Sequence, residues 1–253
     1  MRVIMLGGLG AFPTADEGCC GFLIEHSGQR VLIDPGYGTL AGLQARMPAA
    51  GIDAVYVSHG HPDHCADLQP LLRVRVLTDR SGPALPVYAP VGSLGPLLAI
   101  DEPGMLDPAY ELREFEPGAE LSVGGLRATT WSLPHWVPNA GVRFEADGST
   151  VAWTGDTGPS PDLVVLARDV DLLIAEATYA DEMPERHAGY LSTAAEVGRY
   201  AAEAGARRVV LAHRWPGTDP ETLLTAARQA YDGPVSVAAP GLTVDLDEPA
   251  TTT

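Results

Sequence analysis

The sequence predicts an α/β protein in which two β-sheets pack together with helices on the outside, built as two similar halves. Three observations carry this. Short apolar strands recur, a second series repeats the first about 120 residues later, and helical segments lie between and after them.

The first series covers residues 2–6, 21–25, 30–34 and 54–58, each rich in Val, Ile, Leu or aromatic residues and punctuated by turn formers. Ser27-Gly28-Gln29 reads as a hairpin turn. The second series covers 126–131, 141–145, 150–153 and 171–175. Placing 21–36 over 141–156 matches Gly21 with Gly141, Glu25 with Glu145, Gly28 with Gly148 and Val31 with Val151. The match preserves hairpin register, and a slip of one residue would turn every side chain to the other face. The halves therefore span about 1–120 and 121–248. Helices are expected over 63–72, 193–206 and 220–231. The second is opened by Ser192 as N-cap, with Glu196 nearby, and closed by Gly205. The Pro/Gly-rich stretch 81–96 reads as a loop and 249–253 as a frayed tail. No low-complexity linker interrupts the chain, so 1–253 is expected to form one domain.

Composition narrows the function. Of 253 residues, 45% are hydrophobic, enough to bury a real core. All 16 basic residues are Arg, which removes Schiff-base chemistry and a P-loop lysine. A formal charge of −17 repels nucleic-acid phosphates and anionic membranes, so the expected partner is a small molecule, with no nucleic acid and no membrane. The apolar run at the amino terminus is too short for a signal peptide, and no stretch reaches the ~18 apolar residues of a membrane span. Cys19, Cys20 and Cys65 make a poor disulfide framework, and the cytoplasm is the expected compartment.

The chemistry concentrates in His59-Gly60-His61-Pro62-Asp63-His64, directly after an apolar strand. Packing does not explain four potential ligands in six residues, and imidazole with carboxylate is the set that zinc prefers when thiolates are absent. An extended backbone points His59 and His61 to one side. Pro62 then starts a helix whose first turn brings Asp63 and His64 back toward the same spot. Two ligand geometries from so short a segment suggest two metals.

This His-x-His-x-Asp-His run resembles the signature of the metallo-β-lactamase-fold hydrolases. Three further stretches resemble that family's later motifs in order: Leu133-Pro134-His135, Trp153-Thr154-Gly155-Asp156-Thr157, and Val209-Val210-Leu211-Ala212-His213. The resemblance covers essentially the whole chain. It implies a four-layer αββα sandwich of two mixed sheets and a centre of two zinc ions, with manganese or iron as alternatives. It places His59, His61 and His135 on one metal and Asp63, His64 and His213 on the other, with Asp156 bridging. Asp63 and Asp156 then act in catalysis by a metal-bridging hydroxide. Relatives in this family are often dimers, so the resemblance allows a homodimer.

Within the family, the segment from Glu176 to His213 resembles the tRNA 3′-end endonucleases (RNase Z) and their small phosphodiesterase relatives. Those carry a His after a Gly that helps protonate the leaving group. Here Tyr190 follows Gly189, and His187 stands three residues earlier, so both are candidate general acids. Residues 65–134 hold no basic RNA-grasping arm; Arg73, Arg75, Arg80, Arg113 and Arg127 are scattered. The expected activity is hydrolysis of a small phosphodiester. The alternative is a carbonyl substrate (lactone, ester, thioester or lactam) at the same metals, with an iron-dependent oxygenase or a non-catalytic metal-binding protein behind it. Arg143, Trp136 and Trp215 flank the ligand motifs and are candidates to shape the pocket. His26 lacks a place in the pattern and is expected at the surface. Cys65 is expected not to be a ligand, and Gly7-Gly8-Leu9-Gly10 is expected to be a turn.

Overall fold

Alternation along the strands decides the layering. In β1 (Arg2–Gly7), Val3 and Met5 face one way and Ile4 and Leu6 the other, and both pairs are buried. A strand apolar on both faces needs cover on both, and the fold supplies a second sheet on one side and helices on the other. The computed structural model describes residues 1–78 and 82–248, so the tail at 249–253 lies outside the described residues.

After β1 come β2 (Gly21–His26), β3 (Gln29–Ile33), β4 (Ala54–Tyr56), β5 (Leu85–Pro90) and β6 (Tyr110–Phe115). The second sheet is built from β7 (Glu120–Val123), β8 (Leu126–Leu133), β9 (Asn139–Ala146), β10 (Ser149–Trp153), β11 (Leu172–Glu176), β12 (Val209–Ala212) and β13 (Val235–Val237). β14 (Thr243–Asp245) returns to the first sheet. The orders are β14-β1-β2-β3-β4-β5-β6 and β13-β12-β11-β10-β9-β8-β7. Read from β14 in the first sheet and from β7 in the second, the same sequence of pairings holds, three antiparallel followed by three parallel. The two halves are thus one topology built twice, as the sequence repeat predicts. Both hairpin turns take the same form, with left-handed Ser27 and Gly28 (φ 48° and 83°) matching Asp147 and Gly148 (φ 48° and 82°).

The inner faces meet in one core that includes Phe22, Ile24, Val31, Val142, Phe144 and Trp153. Outside the first sheet lie α1 (Thr39–Gln44), α2 (Pro62–Cys65), α3 (Leu68–Thr78) and α4 (Gly95–Leu98). Leu43, Leu68, Leu71 and Leu72 pack there against Leu23, Leu32 and Val55. Outside the second lie α5 (Asp162–Leu166), α6 (Ala194–Ala204) and α7 (Pro220–Ala227), where Leu163, Val197 and Leu223 cover Ala152, Leu173 and Leu211. Four layers result.

Several boundaries differ from the sequence reading. The stretch 81–96 is not only a loop: Leu85, Val87, Tyr88 and Ala89 are buried in β5, and its prolines fall near the ends, at the second and last positions. The helix expected over 63–72 is two. The Asp67 N–H donates to the Pro35 carbonyl and its carboxylate accepts from the Leu40 N–H, so this residue serves the start of α1. Thr193, not Ser192, caps α6, in a reciprocal capping box with Glu196. The Ser192 N–H is committed to Glu176 and its hydroxyl to the Thr157 carbonyl. α7 ends at Ala227, short of 231. Among the described residues no helix is long and apolar enough to cross a membrane.

Candidate metal centre

Each candidate ligand lies in a segment that follows a strand, Asp63 and His64 within α2 and the others in the connections. The chain leaves β4 through buried Val57 and Ser58 into His59. His61 is extended, at φ −69° and ψ 142°, and Pro62 takes the first position of α2, where an N–H is not needed. His135 follows β8, Asp156 follows β10 and His213 follows β12. All therefore gather at the carboxyl ends of strands, where α/β sheets place their ligand sites.

The side chains converge in two groups that share Asp156: His59, His61, His135 and Asp156, and Asp63, His64, Asp156 and His213. Within each group the ligand atoms lie within 4.8 Å of one another. In the first, His61 Nδ1 is 3.1 Å from Nε2 of both His59 and His135. Asp156 Oδ2 is 3.8 and 3.7 Å from the same two nitrogens. In the second, His213 Nε2 is 3.2 Å from Asp63 Oδ2 and 3.1 Å from Asp156 Oδ2. His64 Nε2 is 3.2 Å from Asp156 Oδ1. Ligands bound at ~2.1 Å to a tetrahedral cation are ~3.4 Å apart, so these separations suit a shared ion in each group. His64 Nε2 and Asp156 Oδ1 are moreover buried with no hydrogen-bond partner. A buried polar atom left so costs ~1–3 kcal/mol, and a cation removes that cost.

Partners behind the ligands fix which nitrogen faces inward. His64 Nδ1 donates to Asp34 Oδ2 at 2.9 Å and leaves Nε2 to the centre. Ser58 gives its own hydroxyl proton to Asp34 and so accepts from His59 Nδ1 at 3.1 Å. Thr178 gives its proton to Glu176 and accepts from His213 Nδ1 at 2.8 Å. The Tyr190 carbonyl accepts from His135 Nδ1 at 2.9 Å. Such outer contacts orient metal-ligating imidazoles and fix their tautomers. Asp34 and Glu176 are fully buried and each gathers several donors, including Trp153 Nε1 on Asp34 and the Ser192 N–H on Glu176.

Charge divides the groups. Burial holds the imidazoles of His59, His61 and His135 below their ordinary pKa, so they remain neutral. Burial acts the same way on His64 and His213, but the Asp156 and Asp63 carboxylates outweigh it. His64 is held well above its ordinary value and His213 rises to about 10. Desolvation likewise opposes ionisation of Asp63 and Asp156, and the neighbouring imidazoles overcome it and hold both below the usual carboxylate range.

The structure thus brings together all seven ligands expected from sequence. Cys65 stays outside both groups, its thiol set against the His61 carbonyl at 3.3 Å. His26, expected at the surface, is half-buried there and pairs with Asp147 at 3.0 Å, joining the two hairpin turns. Two other readings need correction. Arg143 is held by Glu145 and the Arg168 carbonyl and does not reach the centre. The glycine run is more than a turn. At Gly10 a Cβ would come 2.5 to 2.7 Å from the His213 ring, and the next N–H, of Ala11, donates to Asp63 Oδ2 at 2.7 Å. Asp34, Glu176, Thr178 and Ala11 were not anticipated. The one sequence signal was a carboxylate at the end of an apolar strand, which both Asp34 and Glu176 provide.

The two candidate proton donors stand at the mouth. His187 lies within hydrogen-bonding distance of the Tyr179 hydroxyl, 2.8 Å from its Nδ1, and accepts from Arg186 at Nε2. Burial and the Arg186 charge both lower its pKa. Tyr190 is exposed and stacks on Trp136, with centroids 5.0 Å apart.

Residues 29–214 match a family described as a beta-lactamase superfamily domain. The chain is 28% identical to the probable metallo-hydrolase YhfI of Bacillus subtilis, over 95% of this chain and 98% of that one. The crystal structure of YhfI superposes with a TM-score of 0.87 at 27% identity, covering 96% of this chain and 98% of the other. Ribonuclease Z of Myxococcus xanthus is 29% identical over 97% of this chain and 98% of its own. The short form of human tRNase Z is 25% identical, with a TM-score of 0.80 over 97% of this chain and 99% of that one.

Proposed function

Because the chain belongs to the beta-lactamase superfamily, we propose that it is a dinuclear-metal hydrolase acting on a small phosphodiester. The observation that carries this reading is Asp156, shared by two complete ligand groups that each suit one cation. Similarity to proteins named ribonuclease Z supports phosphodiester chemistry. The charge of −17 supports a small substrate over a nucleic acid.

In this reading His59, His61 and His135 would hold one zinc ion and Asp63, His64 and His213 the other, with Asp156 common to both groups. Two bound cations supply Lewis acidity to the phosphoryl oxygens and lower the pKa of water toward neutrality. The chain's own contribution is orientation and proton handling. Asp63, its Oδ2 steadied by the Ala11 N–H, would orient the attacking water or take its proton. His187 is one candidate donor to the leaving oxygen, and to act it must give up the contact in which its Nε2 accepts from Arg186. Tyr190 is the second donor, its phenol free on the exposed side of the Trp136 stack.

Hydrolysis of bis(p-nitrophenyl) phosphate by protein loaded with zinc or manganese, with Asp156→Ala as control, tests this. Turnover that disappears in the control is the expected result. No turnover from protein carrying two metals per chain would move the assignment to carbonyl substrates, beginning with lactones and thioesters.

A further inference from the structure

Aromatic rings form a continuous arc around the mouth of the metal centre. Phe12 meets Trp215 edge-on at 6.0 Å, and Trp215 lies nearly parallel to Tyr179, at 14° and 6.3 Å. Tyr179 contacts His187 at 5.9 Å and His187 contacts Trp136 at 5.5 Å. Tyr190 ends the arc, stacked on Trp136 at 28° and 5.0 Å. Phe12, Trp136, Tyr190 and Trp215 are 48, 47, 40 and 39% exposed. Among the described residues only one other aromatic side chain, Tyr37, is exposed. Large apolar surface left in water and gathered in one place marks a binding surface.

Position ties this surface to the reacting centre. Trp136 follows His135 directly and its ring lies 5.0 Å from the imidazole. Trp215 stands two residues after His213, and Phe12 follows Ala11, whose N–H holds Asp63. A group resting on the arc is therefore a substituent of the molecule whose bond is cleaved. The side chains favour a flat occupant. Each indole stacks one face on a tyrosine, and its remaining exposure offers surface to a planar π-system. Alkyl chains gain nothing from ring faces beyond area, and the exposed acids Asp181, Glu182 and Glu185 beside His187 oppose a long polyanion.

We propose that the arc from Phe12 to Tyr190 is a ring-binding subsite, and that the substrate is a small phosphodiester bearing a planar heteroaromatic ring of the nucleobase class. The substrate assignment rests on the phosphodiester reading above; the ring subsite does not.

The test is a matched pair of ligands, adenosine 5′-monophosphate and ribose 5-phosphate, titrated calorimetrically into metal-loaded protein. Stacking on one ring makes the base-bearing ligand about tenfold or more tighter. Trp136→Ala and Trp215→Ala each shrink the ratio, and Trp136→Phe keeps most of it. If Trp136→Ala loses metal through its contact with His135, Trp215→Ala is read alone. Equal affinities in the unmodified protein overturn the subsite. So does an Ala variant that changes the mass of the particle in solution while keeping the ratio, because the arc is then a contact between copies of the chain. Thymidine 5′-(p-nitrophenyl phosphate) and methyl p-nitrophenyl phosphate, which share a leaving group, separate the two readings. A lower KM for the thymidine ester supports both. Failure to hydrolyse either ester, with the ligand ratio intact, removes the phosphodiester reading and leaves the ring subsite standing.

Discussion

The two ligand groups differ in burial, charge and backing. His59, His61 and His135 bring three imidazoles; those of His59 and His135 are fully shielded and only His61 is partly buried. Asp63, His64 and His213 are all buried and bring a second carboxylate in addition to Asp156. Behind the second group stand Asp34, the Glu176–Thr178 pair and the Ala11 N–H. Behind the first stand one serine hydroxyl and one backbone carbonyl. A group with more negative charge, less solvent and firmer orientation retains a cation longer. The difference predicts that, with a cation in each group as proposed, the second group keeps its ion longer than the first, so that chelators should empty the centre in two steps.

Asp156→Ala breaks the comparison altogether, since both groups lose a ligand. Metal content measured by plasma mass spectrometry should fall for both ions, and phosphodiester turnover should fall to background with it. Full activity in this variant would remove the assignment of the centre.

Asp34→Ala should separate the groups. It strips the acceptor from His64, from Ser58 and from Trp153 Nε1, leaving buried donors at ~1–3 kcal/mol each. Melting should fall by several degrees, and affinity at the second group by about 10- to 100-fold. The first group feels Asp34 only through Ser58 and should lose less. Equal loss at both would show that the groups do not act separately.

The visibility of these parts in the sequence follows from range. The ligands were legible because four sit within six residues and the others end strands with strong apolar patterns. Asp34 and Glu176 act through partners up to 119 residues away, as Trp153 does on Asp34, and no local pattern announces that. The hairpins of both halves were legible for the same local reason. β5 was hidden by Pro86 and Pro90, β6 by its polar Glu111, Arg113 and Glu114, and β14 by pairing only with the opposite end of the chain. α6 was read one residue early because Ser192 is as good a capping residue as Thr193 until Glu176 claims its N–H.

Protons sharpen the comparison further. His213 has its pKa raised from 6.5 to about 10 by Asp156 and Asp63 against the effect of burial. An imidazole with a raised folded-state pKa contributes stability to the metal-free protein below pH 6.5, and that contribution is lost as pH rises through about 10. At pH 7 a cation entering the second group must displace this proton and that of His64, whereas the neutral imidazoles of the first group release none. Calorimetry in buffers of different ionisation enthalpy should therefore show proton release for one binding step only. Affinity at that step should increase between pH 7 and 9, with little change at the other.

The smallest effects come from a matched pair. Ser58→Ala removes the acceptor of His59 Nδ1 and Thr178→Val that of His213 Nδ1. Neither touches a ligand atom, and each should lower affinity by about tenfold at its own group. Thr178→Val should do slightly more, because it also leaves Glu176 without one of its donors in a fully buried place. Stepwise release to a chelator, followed by a colorimetric metal indicator, resolves the two. Ser58→Ala should speed the first step alone and Thr178→Val the second, and a variant that speeds both would mean that Asp156 couples the two ions more strongly than their separate backing keeps them apart.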